Sequence, residues 1–149
     1  MSAAPGSPAE SDADHRVALQ VPADVSYVGV VRTLAASLAA RLPFTIDEID
    51  DLRIAVDEAF ALLMPVAVRG STVRVAYRTD DSALEVSVDV DATPGVALDQ
   101  GGFGWTVLDA LAHVADVREA DGTVGLTLHK DAEETGALVL ADVSEPAAP

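Results

Sequence analysis

"LRIAVDEAFALLMPVA", residues 52–67, is the stretch on which the reading of this chain turns. Leu52, Val56, Phe60 and Leu63 recur at intervals of three and four and extend upstream to Ile49, the spacing of an amphipathic helix. Thr45 and Glu48 stand at the spacing of a capping box, in which each side chain takes the other's backbone N–H, and Pro65 ends the helix. Glu58 lies at the margin of the polar face beside Asp57. Four residues on, where a second polar group would share its face, stands Leu62. From the residues alone Glu58 has two readings. It is a solvated helix carboxylate, or a general base in a pocket whose burial would raise its pKa.

Outward from this helix the pattern alternates. "RVALQVPA" sets Val17, Leu19 and Val21 on one face of a strand. "DVSYVGVVRTLAASLAARL" repeats apolar residues from Val28 to Leu42 at helical spacing, with Asp24 or Ser26 as its cap and Pro43 as its break. "STVRVAYRT" and "ALEVSVDVD" alternate strictly on either side of Asp80-Asp81 and read as an antiparallel hairpin. A Gly- and Pro-rich loop, "ATPGVALDQGGFG", leads to a third helix, "WTVLDALAHVA". "VADVREA", a turn at Asp121-Gly122 and "TVGLTLHK" then form a second hairpin. The order β-α-α-β-β-α-β-β implies an α+β, two-layer sandwich: a mixed, mainly antiparallel sheet with the helices packed on one face.

The chain has 149 residues, enough for one domain with a substantial core. We expect residues 1–15 to be a disordered acidic tail, 16–130 the folded domain, and 131–149 a flexible acidic tail in which "ALVLADV" could add a weak strand. Cysteine is absent, which excludes disulfides and thiolate metal sites and fits a reducing, cytoplasmic setting. The N-terminus lacks the basic and apolar regions of a signal peptide, and no apolar run approaches a membrane span. The formal net charge is −16. Such a surface repels a phosphate backbone, so direct nucleic-acid binding is not expected, whereas a basic protein partner is.

Few residues carry an obvious chemistry. Gly102 and Gly104 precede a helix, where free backbone N–H groups and the helix dipole favour an anion, although glycines there commonly serve only a turn. Asp89 and Asp91 end a strand and could meet a base or a metal, or simply solvate it. His15, His113 and His129 lack ligand spacing, so no metal site is expected.

Taken together, "YVGVVRTLAASLAARLPFTIDEIDDLRIAVDEA", "GGFGWTVLDALAHVADV" and "DGTVGLTLHK" resemble the GHKL (Bergerat-fold, HATPase-like) domain over residues 16–130. The resemblance is to the anti-sigma factor and serine kinase group of the RsbW and SpoIIAB kind, and most to an actinobacterial subgroup such as UsfX. It implies ATP and Mg²⁺ as cofactors. It places a general base at Glu58 and nucleotide contacts at Asp91, Gly102, Gly104 and Thr123. A partner-contacting arginine falls at Arg32 on the first helix. The partners it implies are an alternative sigma factor of the sigma-B/sigma-F type, a STAS-fold anti-anti-sigma protein, and a second copy in a homodimer.

The departures bear on chemistry. The group's N box runs Glu-Ala-x-x-Asn, and the Asn oxygen holds the metal. Here Glu58-Ala59 fit, but the last position is Leu62, which offers a hard cation nothing. The Asp-x-Gly box reads Asp91-Ala92-Thr93 or Asp89-Val90-Asp91, lacking the glycine either way, and only nine residues separate Asp91 from Gly101. Phosphoryl transfer works by positioning and metal-assisted charge stabilisation, so these changes imply impaired or lost kinase activity in an anti-sigma factor. The alternatives are an active serine kinase and a nucleotide-responsive anti-sigma factor.

Overall fold

The computed structural model describes residues 15–133. The expectations placed on residues 1–14 and on the segment from 134 onward, including a strand at "ALVLADV", lie outside the described residues. Five strands form one sheet: β1 (Arg16–Pro22), β2 (Thr72–Thr79), β3 (Ala83–Asp91), β4 (His113–Ala120) and β5 (Thr123–Asp131). Three α-helices pack on it: α1 (Val28–Ala39), α2 (Ile46–Leu63) and α3 (Phe103–Leu111).

The strand order is β1-β2-β3-β5-β4, and every adjacent pair is antiparallel. This is the limiting case of the mainly antiparallel sheet expected from the pattern. β3 and β4, joined through α3, run in the same direction, but β5 inserts between them and pairs with both. Asp121 and Gly122 turn the last hairpin with φ of 54° and 77°, the left-handed pair that suits the twist of a two-residue turn.

Alternation sorts the strands cleanly. Val73, Val75 and Tyr77 on β2, the four apolar residues of β3 from Leu84 to Val90, and Val124, Leu126 and Leu128 on β5 are buried against the helices. From α2 they meet Leu52, Val56, Phe60 and Leu63. α1 contributes Val31 and the small residues Ala35 and Ala39, which let it approach closely. The Tyr77 hydroxyl, fully buried, donates to the Val31 carbonyl of α1 at 2.9 Å, and burial pushes its pKa up.

The helix starts are chemically explicit. Asp24 caps a 3₁₀ turn (Val25–Tyr27) ahead of α1 by accepting from Ser26 N–H at 2.9 Å. At α2 the capping box is complete: Thr45 N–H donates to Glu48 Oε1 at 2.8 Å, and Glu48 N–H donates to Thr45 Oγ1 at 3.1 Å. Glu48 also accepts from Glu133 N–H at 2.9 Å, which ties the chain beyond β5 to the start of α2.

The third helix differs from the expected span of residues 105–115. It begins two residues earlier, and Ala112 is already extended, so "HVA" belongs to β4. Leu108, Leu111 and Val114 keep helical spacing, but pairing of β4 with β5 takes the backbone. Lys130 Nζ donates to the Leu111 carbonyl at 2.9 Å and closes the helix end.

Candidate functional site

The site is built where α2 meets the first turn of α3. Glu58 and Leu62, one turn apart on α2, share the side that faces α3. A Cβ on Gly104 would lie 3.0 Å from Glu58 Oε1 and 3.5 Å from Leu62 Cδ2. The glycine is what allows the two helices to close at this seam. Leu62 is half-buried and packs on the core.

Gly102 is the residue before α3, in extended conformation with no side-chain cap. Asp99 occupies the space beside it: its Oδ2 lies 2.6 Å from where a Gly102 Cβ would be, and its Oδ1 accepts from Gly101 N–H at 3.1 Å. A carboxylate of the chain itself therefore stands at the loop expected to cradle a phosphate.

Asp91 and Thr123 are paired neighbours at the ends of β3 and β5. Asp91 sits on the sheet face away from the helices, with Arg74 at 3.2 Å. The structure thus brings Glu58, Leu62 and Gly104 together with Gly102 close by, and sets Asp91 beside Thr123 on the other side of the sheet's end. Arg32 lies on α1 and reaches across to α2, where its Nη1 bonds both oxygens of Asp57 at 2.9 and 3.0 Å.

The sequence reading passed over the role of Thr93, which stands where a glycine was expected. Its N–H donates to the Val66 carbonyl at 2.7 Å and its hydroxyl to the Ala67 carbonyl at 3.2 Å. Val68 N–H returns a bond to the Asp91 carbonyl at 2.8 Å. The loop after α2 is stitched to the end of β3, and nothing local in the sequence signals it.

Of the oxygens that would serve a magnesium–nucleotide complex, this seam offers the Glu58 carboxylate. A hard cation needs oxygens in number; Glu58 supplies one carboxylate and Leu62 presents methyl groups where a second donor would stand. Asp99 adds negative charge where phosphates would lie. Among the described residues there is no group of three or more His, Cys, Asp or Glu side chains able to hold a metal ion. No helix among them is long and apolar enough to cross a membrane.

Residues 21–130 match the family model described as the histidine kinase-like ATPase domain. Similar proteins include the serine-protein kinase RsbW of Bacillus subtilis, 30% identical over 83% of this chain and 91% of its own length. The anti-sigma-F factor RsbW of Mycobacterium tuberculosis is 35% identical over 64% of this chain and 57% of its own. Among solved structures, the RsbU and RsbW domains of Rv1364c from Mycobacterium tuberculosis superpose with a TM-score of 0.53 at 19% identity. The match covers 79% of this chain and about a third (34%) of that longer one, and speaks for the fold alone.

Proposed function

This chain belongs to the histidine kinase-like ATPase family, and from that premise we propose that it is an anti-sigma factor whose kinase chemistry has been lost. In this reading it sequesters an alternative sigma factor of the sigma-B/sigma-F type in the cytoplasm, as a homodimer, and a STAS-fold anti-anti-sigma protein relieves it. The observation that carries the loss is Leu62 packed against Gly104, one turn from Glu58, at the position where a metal-binding oxygen would be needed. Support for the binding role comes from the relative named as an anti-sigma-F factor.

What the residues do in this account is mechanical. α1 and α2 lie side by side, and the Arg32–Asp57 pair bridges them beside the outward surface offered to a partner. The acidic chain attracts a basic sigma domain and speeds encounter. Glu58 is a relic of the base.

A second reading keeps the enzyme, because Glu58 still faces the glycine turn. It requires transfer of phosphate from ATP·Mg²⁺ to the STAS partner, abolished by Glu58→Ala. We expect no transfer by the natural chain. In Leu62→Asn, which restores an amide oxygen, we expect Mg²⁺-dependent binding of a fluorescent ATP analogue to rise from the natural chain's baseline. Transfer by the unaltered chain that disappears with Glu58→Ala would replace the proposal with the kinase. ATP binding without transfer would make it a nucleotide-responsive anti-sigma factor.

A further inference from the structure

An apolar groove of about 450 Å³ runs between α1 and α2 on the solvent side of the helical layer. Ala36, Ser37 and Ala40 of α1 form one wall, and their small side chains leave the space open. Ile46, Ile49 and Arg53 of α2 form the other. Ile46 is 78% exposed and Ile49 only half-buried, so the groove is apolar surface left open to water. Its far end meets the Arg32–Asp57 bridge, which lies one turn beyond Arg53.

The chain leaves β5 beside the near end of this groove. Glu133 N–H donates to Glu48 Oε2 at 2.9 Å, while Oε1 of the same carboxylate accepts from Thr45 N–H at 2.8 Å. Thr45 caps α2, and the next residue, Ile46, is the first of the groove. The sequence from 134 onward is therefore rooted at the mouth of the groove. Glu134, Thr135 and Gly136 separate that root from the apolar run at residues 137–143, and span at most about 10 Å.

That run suits the groove in composition, length and charge. Residues 1–14, the other tail of the sequence, contain no Val, Leu, Ile or Phe. In an extended chain Leu138, Leu140 and Asp142 share one face. Leu138 to Asp142 then covers roughly 13 Å, against roughly 10 Å along α2 from Ile46 to Arg53. With Leu138 at Ile46 and Leu140 over Ile49, Asp142 comes to the Arg53 guanidinium. The pair that Arg53 makes with Asp50 is long, at 3.7 Å, and more than half exposed. So short a tether also holds the run at an effective concentration on the order of millimolar, so a small contact is enough.

We propose that residues 137–143 of the same chain occupy this groove, with Leu138 and Leu140 inserted between α1 and α2 and Asp142 paired with Arg53. Docked there, the segment ends beside the Arg32–Asp57 bridge and covers part of the surface that the proposed function offers to a partner. It is an internal competitor that the partner must displace. The docking stands by itself, and only this competition rests on the proposed function.

The chain has three isoleucines, which makes the test direct. Ile46 and Ile49 line the groove, and Ile54 is exposed on the same helix outside it. Their δ1 methyl signals are recorded by NMR in the full chain and in its Leu138→Ser/Leu140→Ser variant, which keeps the charge. We expect the Ile46 and Ile49 signals to move and the Ile54 signal to hold still. Three unmoved signals overturn the proposal. A drift of the natural chain's Ile46 and Ile49 signals towards the variant's on dilution places the segment on a second copy, and overturns it too.

The absence of cysteine allows an independent reading. Under mild oxidation, Ser37→Cys with Leu140→Cys should close an intramolecular disulfide at least about tenfold faster than Ser82→Cys with Leu140→Cys. Ser82 stands outside the groove yet close to the root of the tail, its carbonyl accepting from Ala132 N–H at 2.7 Å. Equal rates overturn the docking. Leu138→Ser/Leu140→Ser should also tighten sigma-factor binding several-fold, and an unchanged affinity refutes the competition. A chain that binds no sigma factor at all refutes the proposed function, while the methyl signals still decide the docking.

Discussion

Two carboxylates on one helix, Glu48 and Glu58, make the instructive comparison. Glu48 is 6% exposed and accepts backbone N–H groups from Thr45 and Glu133, joining the start of α2 to the end of β5. Glu58, ten residues on, is half-buried, and its carboxylate faces the backbone of a glycine on α3. The first builds the fold. The second faces the glycine turn beside Leu62, the seam where we propose that kinase chemistry has been lost. One helix thus carries a structural carboxylate at its start and, in the proposed reading, a relic catalytic one further on.

The largest effect should come from breaking the first carboxylate. Glu48→Ala leaves two backbone donors without their acceptor and should cost about 1–3 kcal/mol, read by urea denaturation. Glu58→Gln should change stability by less than about 0.5 kcal/mol, because it removes no such bond from the fold. Equal losses in the two variants would erase the distinction.

Acid sharpens it further. Burial alone would raise the Glu48 pKa, but the N–H groups of Thr45 and Glu133 outweigh it and hold the carboxyl below its ordinary value of 4.5. A group depressed in the folded state stabilises fully above its unfolded pKa. Its contribution shrinks as pH falls below about 4.5 and is gone once pH has passed below the folded value. Glu48→Gln should flatten that part of the stability–pH curve, and an unchanged acid limb would count against the assignment.

Tyr77→Phe, which deletes the buried bond from β2 to α1, should cost about 1 kcal/mol while leaving partner binding intact. Arg32→Glu should have a modest effect on folding. Its pair with Asp57 is more than a third exposed, so the loss should stay near or below about 1 kcal/mol, including the new repulsion. Its effect on sigma-factor affinity should be at least about tenfold, measured by titration calorimetry. An unaltered affinity would leave Arg32 as a brace between helices and nothing more.

Much of the fold was legible because its signals are local. β2 alternates throughout and β3 does so from Leu84 onward, Thr45 and Glu48 announce α2, and Asp121-Gly122 announces the last hairpin. The end of α3 is not legible in the sequence, because Leu108, Leu111 and Val114 keep a helical period while strand pairing with β5 claims the backbone. The site was legible in part. The sequence identifies Leu62 as an odd residue in its place, but its contact with Gly104 spans 42 positions and exists only once α3 folds back on α2. The pairing of Arg118 with Asp89 over Gly125 is equally non-local, so no pattern along the chain could expose it.

The central claim is sequestration of a sigma factor without nucleotide chemistry, and capture from the host's own extract tests it most directly. The tagged chain is used as bait with and without ATP·Mg²⁺, and bound proteins are identified by mass spectrometry. The account expects one alternative sigma factor held equally under both conditions. Retention that depends on ATP·Mg²⁺, or the absence of any sigma factor from both, would contradict it.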